Sequence, residues 1–385
     1  MPSLSDKLRM ISAEHMAQSD MPKKTASQDC YRVSERYPIA SFPDARHMNA
    51  DILKEIYGFP FPVSVKMQDL LFLDTETTGL SRGAGTVAFL VGIGYFTQDH
   101  FVVEQYLMRD YDEELFVLQE VSRLLEAFPV LVTFNGRTFD MPVLQSRFLL
   151  NRFRDKYESV HADVLYPSRR LWKLRLGSCN LQTLEESVLG VVREGDIPGA
   201  MIPQTYFKYL ENRDFEPIRS IMAHNRQDIT SLAQLFFFLC RLHLKPETIQ
   251  APEDLFSLAR TLNKRGDALK AKKCFRLSAQ GGLRPSAFHA LAEQEKREGH
   301  AQRAAKLYTA MLSSSEDTAD VCVALAKLYE HQLRDLSQAL LYTRQALLIL
   351  SEPGLEAGEA VQSRRNALQY RYARLRRKIA GGSLG

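Results

Sequence analysis

"LLFLDTETTGLSRGAGTVAFLVGIGYF", residues 70–96, decides how this chain is read. Leu70–Leu73 form an apolar run suited to a buried strand, and it ends in Asp74 and Glu76 with only Thr75 between them. Side chains alternate across a strand, so residues i and i+2 share a face and the two acids project together. Close carboxylates repel unless a cation lies between them. A core has no use for such a pair, so something positively charged is expected beside it. "TVAFLVGIGYF" reads as a second strand, and beyond a turn at "TQDH" the alternating "FVVEQYLM" reads as a third, giving an antiparallel meander.

Outward from this stretch, "DEELFVLQEVSRLLEAF" has helical spacing, with Asp112, Glu113 and Glu114 suited to a first turn. "VLVTFN" is a short buried strand, "FDMPVLQSRFLLNRF" a helix and "SVHADVL" a further strand, followed by helices at 181–193, 203–212 and 215–243. The fold class over 66–244 is therefore α/β, a mixed sheet flanked by helices. Residues 1–65, with six prolines and little periodicity, are expected to be an irregular leader that partly drapes over this domain. Residues 250–380 are expected to form an all-α domain. Helix–turn–helix segments recur there, with 33 residues from Ala271 to Ala304 and 35 from Ala304 to Ala339. That period resembles tetratricopeptide repeats, whose helix pairs stack through small residues; a plain helical bundle is the alternative.

With 385 residues and 45% hydrophobic content the chain can bury sizeable cores. The formal charge of +4 is nearly balanced, so any surface for nucleic acid must be local. Five scattered cysteines without a C-x-x-C pair argue against structural zinc or a disulfide framework. No secretory signal core is seen, and Thr86–Phe96 and Leu232–Cys240 are too short to span a bilayer. The expectation is a soluble, cytoplasmic protein with no membrane association.

Two further segments carry candidate partners for the first acids. In "LVTFNGRTFDMPVL" a strand ends at Asn135 and Asp140 opens a helix, where it could also serve as an ordinary first-turn acid. In "IMAHNRQDITSL" His224 and Asp228 lie four apart on one helix face, which alone would be a bland polar pair. Together, four acids and a histidine are what a two-metal phosphodiesterase requires: hard oxygen ligands for two Mg²⁺ or Mn²⁺ ions and a base for the attacking water.

At these motifs the chain resembles a known family. "DTETTG" is similar to the first motif of the DnaQ-like, or DEDD, 3′–5′ exonucleases on a ribonuclease-H-like fold. "FNGRTFDMPVL" resembles the second motif, as in the proofreading domain of family B DNA polymerases, and "HNRQD" the third. With its "IPGAMIP" segment, the run 68–243 resembles YprB-type ribonuclease-H-like proteins, a predicted exonuclease family of bacteria. The resemblance implies Asp74, Glu76, Asp140 and Asp228 as metal-binding acids and His224 as general base. It also implies Thr77, Thr78, Gly79 and Leu80 as the seat of a 3′-terminal nucleotide, with Asn135 supporting the second motif. His224 precedes Asp228 by four residues, the spacing of the family's tyrosine subgroup, whereas the histidine subgroup uses five. The implied activity is exonucleolytic cleavage of single-stranded DNA or RNA from a 3′ end. The helical repeats would recruit a protein partner or guide substrate. A non-cleaving adaptor and a structure-specific endonuclease on the same scaffold are the alternatives.

Other features are less specific. "GLSRGAGT" lacks the lysine of a phosphate loop and reads as a turn, with Arg82 available to a phosphate. Asp163 lies at a strand end, where the resemblance implies a supporting acid; His161 reads as a packing histidine and Trp172 as buried. Arg169, Arg170, Lys173 and Arg175 could grip a phosphate backbone or merely form a solvated face. The basic C-terminal run from Arg364 to Lys378, with Tyr370 and Tyr372, suits single-stranded nucleic acid, a helix C-terminus or an acidic partner.

Overall fold

The computed structural model describes residues 30–79, 85–153, 159–312, 318–351 and 358–381. The chain divides into two units, one ending at Thr248 and one starting at Ile249. The first unit is built on strands β1 (Tyr31–Pro38), β2 (Leu70–Thr77), β3 (Ala88–Phe96), β4 (His100–Leu107), β5 (Val130–Thr133) and β6 (Val160–Asp163). They form one sheet in the order β1-β4-β3-β2-β5-β6. The β1–β4, β4–β3 and β3–β2 pairs are antiparallel, whereas β2–β5 and β5–β6 are parallel.

Two parts of this unit differ from the expectation. Residues 31–57 are not irregular: β1 closes the sheet edge, and Ala50–Tyr57 is a helix capped by the Asn49 side chain and ended by Gly58 at φ 85°. β1 was masked by charged residues in its alternation, "YRVSERYP", because one face of an edge strand stays in solvent. The helix expected at 181–193 stops early. Leu181–Leu184 runs into a π turn at Glu185–Leu189 and Gly190 ends it at φ 69°, leaving Arg193 in a loop. Leu165–Leu176 is a further helix, with Trp172 buried within it.

The two faces of β2 meet different helices. Leu71 and Leu73 pack with Val117, Val121 and Leu144 of the helices Glu114–Ala127 and Asp140–Leu150. Phe72, on the Asp74 face, stacks edge-on against Phe236 at 5.8 Å, in the helix Glu216–Leu244. Two glycines of β3 set how closely that helix approaches. A Cβ on Gly92 would overlap the Asn225 amide, and one on Gly94 would lie 2.7 Å from Ile229 Cγ2. "VGIG" is thus a notch that seats one helix against the sheet.

The elements of the second unit are helices throughout its described residues. Three helix pairs, Pro252–Lys264 with Ala268–Ser278, Arg284–Arg297 with Ala301–Met311, and Thr318–His331 with Leu336–Leu350, precede a last helix, Glu359–Gly381. Gly266 at φ 90° and Gly299 at φ 82° turn the first two pairs, and Arg334 at φ 58° takes the same left-handed role in the third. The basic C-terminal run is largely engaged within this unit. Arg371 and Arg374 each approach Glu330 to 2.6 Å and Lys378 to 3.3 Å, while Arg364 pairs with Asp320.

A left-handed conformation costs a non-glycine residue about 1–2 kcal/mol. Arg334→Gly should therefore stabilise the helical unit, by about 1 kcal/mol once the extra freedom of glycine in the unfolded chain is deducted. Denaturant unfolding of the full chain reads this; a loss of stability would show that the Arg334 side chain holds the turn.

Candidate active site

The alternation of β2 places Asp74 and Glu76 on one face at the strand's C-terminal end, where the register pairs Asp74 with Gly92. Asn225 crosses the gap left by Gly92 and donates from Nδ2 to Asp74 Oδ2 at 2.9 Å. Gln105 Nε2 in turn donates to Asn225 Oδ1 at 2.9 Å and to the Met222 carbonyl at 2.7 Å, which fixes the amide's orientation. Asn225 is fully buried, and sequence reasoning passed over it although it stands within the third motif. Its signal was a polar side chain on the sheet-facing stripe of an amphipathic helix.

One turn of the same helix carries His224 and Asp228. His224 Nε2 lies 3.5 Å from Asp228 Oδ2 and 3.9 Å from Glu76 Oε1. Glu76, His224 and Asp228 each offer a ligand atom, all within 4.8 Å of one another. Asp140 reaches the strand end from the opposite face. Its buried carboxylate accepts from Thr75 N at 3.0 Å and Thr75 Oγ1 at 2.6 Å, so it stands beside the trio rather than in it. Asp74 likewise stands beside it, held by Asn225.

The loop after the π turn supplies two residues that no motif announced. The Arg193 guanidinium pairs with Asp228, with Glu185 at 2.6 Å and with Asp196 at 3.0 Å. Asp196 Oδ1 lies 2.8 Å from His224 Nδ1. Both Asp196 carboxylate oxygens lie within 2.9 Å of Nδ1 and can only accept, whereas Arg193 Nη1, which can only donate, lies farther away at 3.2 Å. The closer carboxylate contact favours the proton on Nδ1, with the Nε2 lone pair facing the acids. "VVREGDIPG" has no hydrophobic period, and nothing local marks Arg193 or Asp196 as partners of a helix some thirty residues on.

The remaining sequence-derived positions are mixed. Thr77 Oγ1 donates to the Gly79 carbonyl at 2.9 Å, and Thr78 Oγ1 accepts from Val87 N at 3.0 Å, so both hydroxyls shape the turn after β2. Leu80 and Arg82 lie outside the described residues. Asn135 adopts φ 65° and its side chain accepts from Thr138 Oγ1 at 2.6 Å. Asp163 accepts the backbone N–H groups of Asn135, Arg137 and Leu165 at 2.9–3.1 Å and so braces the second motif's loop.

Burial, then repulsion from Asp228 and Asp140, holds Asp74 and Glu76 well above the usual carboxylate range. Asp140 rises to about 6, burial outweighing the Thr75 bonds. Arg193 opposes the shift at Glu76. A carboxylate whose folded pKa is raised keeps a proton that the unfolded chain releases. Stability then falls as pH climbs from the ordinary value near 4 through the raised one. In chelator, the protein should melt at a higher temperature at pH 5.5 than at pH 8, and Asp74→Asn should shrink that difference. A pH-independent melting temperature in chelator would contradict it.

Arg193 is nearly buried, with 8% of its side chain exposed and none of Glu185's. Arg193→Gln leaves buried carboxylates without their cation and should destabilise the protein by about 3–5 kcal/mol. Arg193→Lys should rescue poorly, since one ammonium cannot reproduce a fork shared by three acids. Equal stability of Arg193→Gln and the unmodified protein would refute this.

Residues 71–240 match the family model of the RNase_H superfamily. The mixed sheet and its helices are accordingly a ribonuclease-H-like domain, followed by a helical C-terminal region. The chain is 28% identical over 362 residues to the uncharacterised protein YprB of Bacillus subtilis (strain 168), across 91% of this chain and 85% of that protein. Among solved structures it is similar to the family B DNA polymerase of the hyperthermophilic archaeon Pyrobaculum calidifontis, with 14% identity and a TM-score of 0.38. That likeness covers 54% of this chain and 30% of the polymerase, so the chain spans less than a third of that protein's length. No helix among the described residues is long and apolar enough to cross a membrane.

Proposed function

We propose that this protein is a metal-dependent 3′–5′ exonuclease of the DEDD type that removes nucleotides from single-stranded DNA or RNA. The observation that carries this reading is the meeting of β2 acids with Asp140, Asp228 and a histidine whose Nε2 faces them. The match to the RNase_H superfamily supports it, since members of that superfamily are usually nucleases and generally use divalent metals.

In this reading Asp74, Glu76, Asp140 and Asp228 hold two divalent ions, Mg²⁺ or Mn²⁺. The donor set fits such ions: the site offers hard carboxylate oxygens, its acids repel one another, and Glu76 and Asp228 offer oxygens within 4.8 Å of each other and of a His224 nitrogen, with Asp74 and Asp140 beside them. Held by these acids, such ions would supply positive charge to the attacking and leaving oxygens of the phosphodiester. His224 Nε2 takes the proton from the attacking water, while Asp196 holds Nδ1–H and with it the tautomer. Asn225 keeps Asp74 turned toward the site. Thr77, Thr78, Gly79 and Leu80 seat the terminal nucleotide and Asn135 supports the second motif. The helical unit, as a tetratricopeptide-like array, offers a surface for a protein partner.

The test uses 5′-labelled single strands of DNA and RNA with Mg²⁺ or Mn²⁺. The protein should shorten them stepwise from the 3′ end, and Asp74→Ala or Glu76→Ala should remove the activity. His224→Ala should lower turnover by roughly 10²–10⁴-fold while Mn²⁺ binding survives. Equal loss of turnover and metal binding would make His224 a ligand. No release from any strand would overturn the proposal.

A further inference from the structure

Beside the acids, at the same end of the sheet, lies a cleft of ≈ 670 Å³. Its walls include Phe134, Asn135, Arg169, Lys173 and Asn180, and among the described residues no carboxylate lines it. We propose that this cleft is a groove for a single nucleic-acid strand, holding the nucleotides that follow the one at the acidic site. The proposal rests on the exonuclease reading and extends it to the path of the strand.

Position is the first argument. β2 and β5 run parallel with Phe72 paired to Val132, so Thr75 and Asn135 each stand three residues beyond a paired position. The cleft therefore opens one strand over from Asp74 and Glu76, about 5 Å per strand, at the carboxyl ends where ligands of α/β sheets bind.

Charge is the second. Arg169 and Lys173 are one turn apart on the helix Leu165–Leu176 and exposed, and neither side chain has an ion-pair partner among the described residues. Their neighbour Arg170 differs, since its guanidinium donates to the Ile56 carbonyl at 2.7 Å. The acidic site repels a polyanion wherever its charge is not neutralised. Among the described residues no carboxylate lines this cleft, and the nearby Asp163 is buried behind it on the N–H groups of Asn135, Arg137 and Leu165, so the exposed Arg169 and Lys173 set its charge. The two surfaces together would hold a strand by its backbone and present only its end to the acids.

Shape is the third. Phe134 is half-buried in the cleft wall, and cations beside an aromatic face form the pairing that binds single strands without sequence preference. The volume is within the about 300–1,000 Å³ of ordinary ligand sites, enough for a nucleotide or so.

The test is the Arg169→Glu/Lys173→Glu protein, full length, with fluorescein-labelled oligothymidylate in chelator so that nothing is cut. Binding should weaken at least tenfold at low salt. The plot of log affinity against log salt should flatten by about 1.4, the slope of two single-strand phosphate contacts. Arg169→Gln/Lys173→Gln should act in the same direction, and both proteins should still hydrolyse the p-nitrophenyl ester of thymidine 5′-monophosphate in Mn²⁺ at the rate of the unmodified protein. That ester carries no second nucleotide to enter the cleft. Unchanged affinity and slope in the glutamate variant, an effect absent from the glutamine variant, or equally tight binding of a blunt duplex would each overturn the groove. If the unmodified protein cuts neither ester nor strand, the exonuclease reading fails, while the binding comparison still decides the cleft.

Discussion

Crowding of carboxylates at the end of one strand is the constraint on which the rest of the first unit depends. Asp74 and Glu76 share a face by the geometry of β2, and Asp228 and Asp140 are brought to them from helices on opposite faces of the sheet. Like charges in a partly desolvated pocket raise one another's pKa and work against folding. The surrounding structure compensates with oriented donors: the Asn225 amide on Asp74, the Thr75 hydroxyl and N–H on Asp140, and the Arg193 guanidinium on Asp228. Each holds an acid in place without removing the need for more positive charge.

That arrangement depends on two backbone features that are not themselves ligands. The helix Glu216–Leu244 delivers His224, Asn225 and Asp228 because Gly92 and Gly94 leave β3 without side chains where the helix lies. A glycine substitution in "VGIG" would push the helix outward and carry three site residues with it. The π turn at Glu185–Leu189 is the second device, because it ends a helix early and frees the following loop to bring Arg193 and Asp196 to the site. Asp196, Arg193 and His224 then form a linked group that decides which imidazole nitrogen faces the acids.

Much of this was legible in the residues. The buried run before Asp74, the alternation of Asp74 and Glu76 and the four-residue spacing of His224 and Asp228 are local patterns, and they led to the mixed sheet and to the groups that meet. β1 was lost because an edge strand with one wet face has no clean apolar alternation. Asn225 was passed over because a polar residue on an otherwise apolar helix stripe gains meaning only once Gly92 lies opposite. Arg193 and Asp196 were out of reach, since their partners are set by a loop without periodicity. The rhythm of the helical unit was readable even where its glycine is replaced, because Arg334 takes the left-handed turn that Gly266 and Gly299 make elsewhere.

The central claim is that the carboxylate cluster holds divalent ions. Calorimetric titration of the chelator-stripped protein with Mn²⁺ tests it without any substrate. The account predicts two saturable sites per chain, with binding lost in Asp74→Asn and weakened in Asp228→Asn. Absence of saturable binding up to millimolar Mn²⁺, or binding unchanged in both variants, would contradict it.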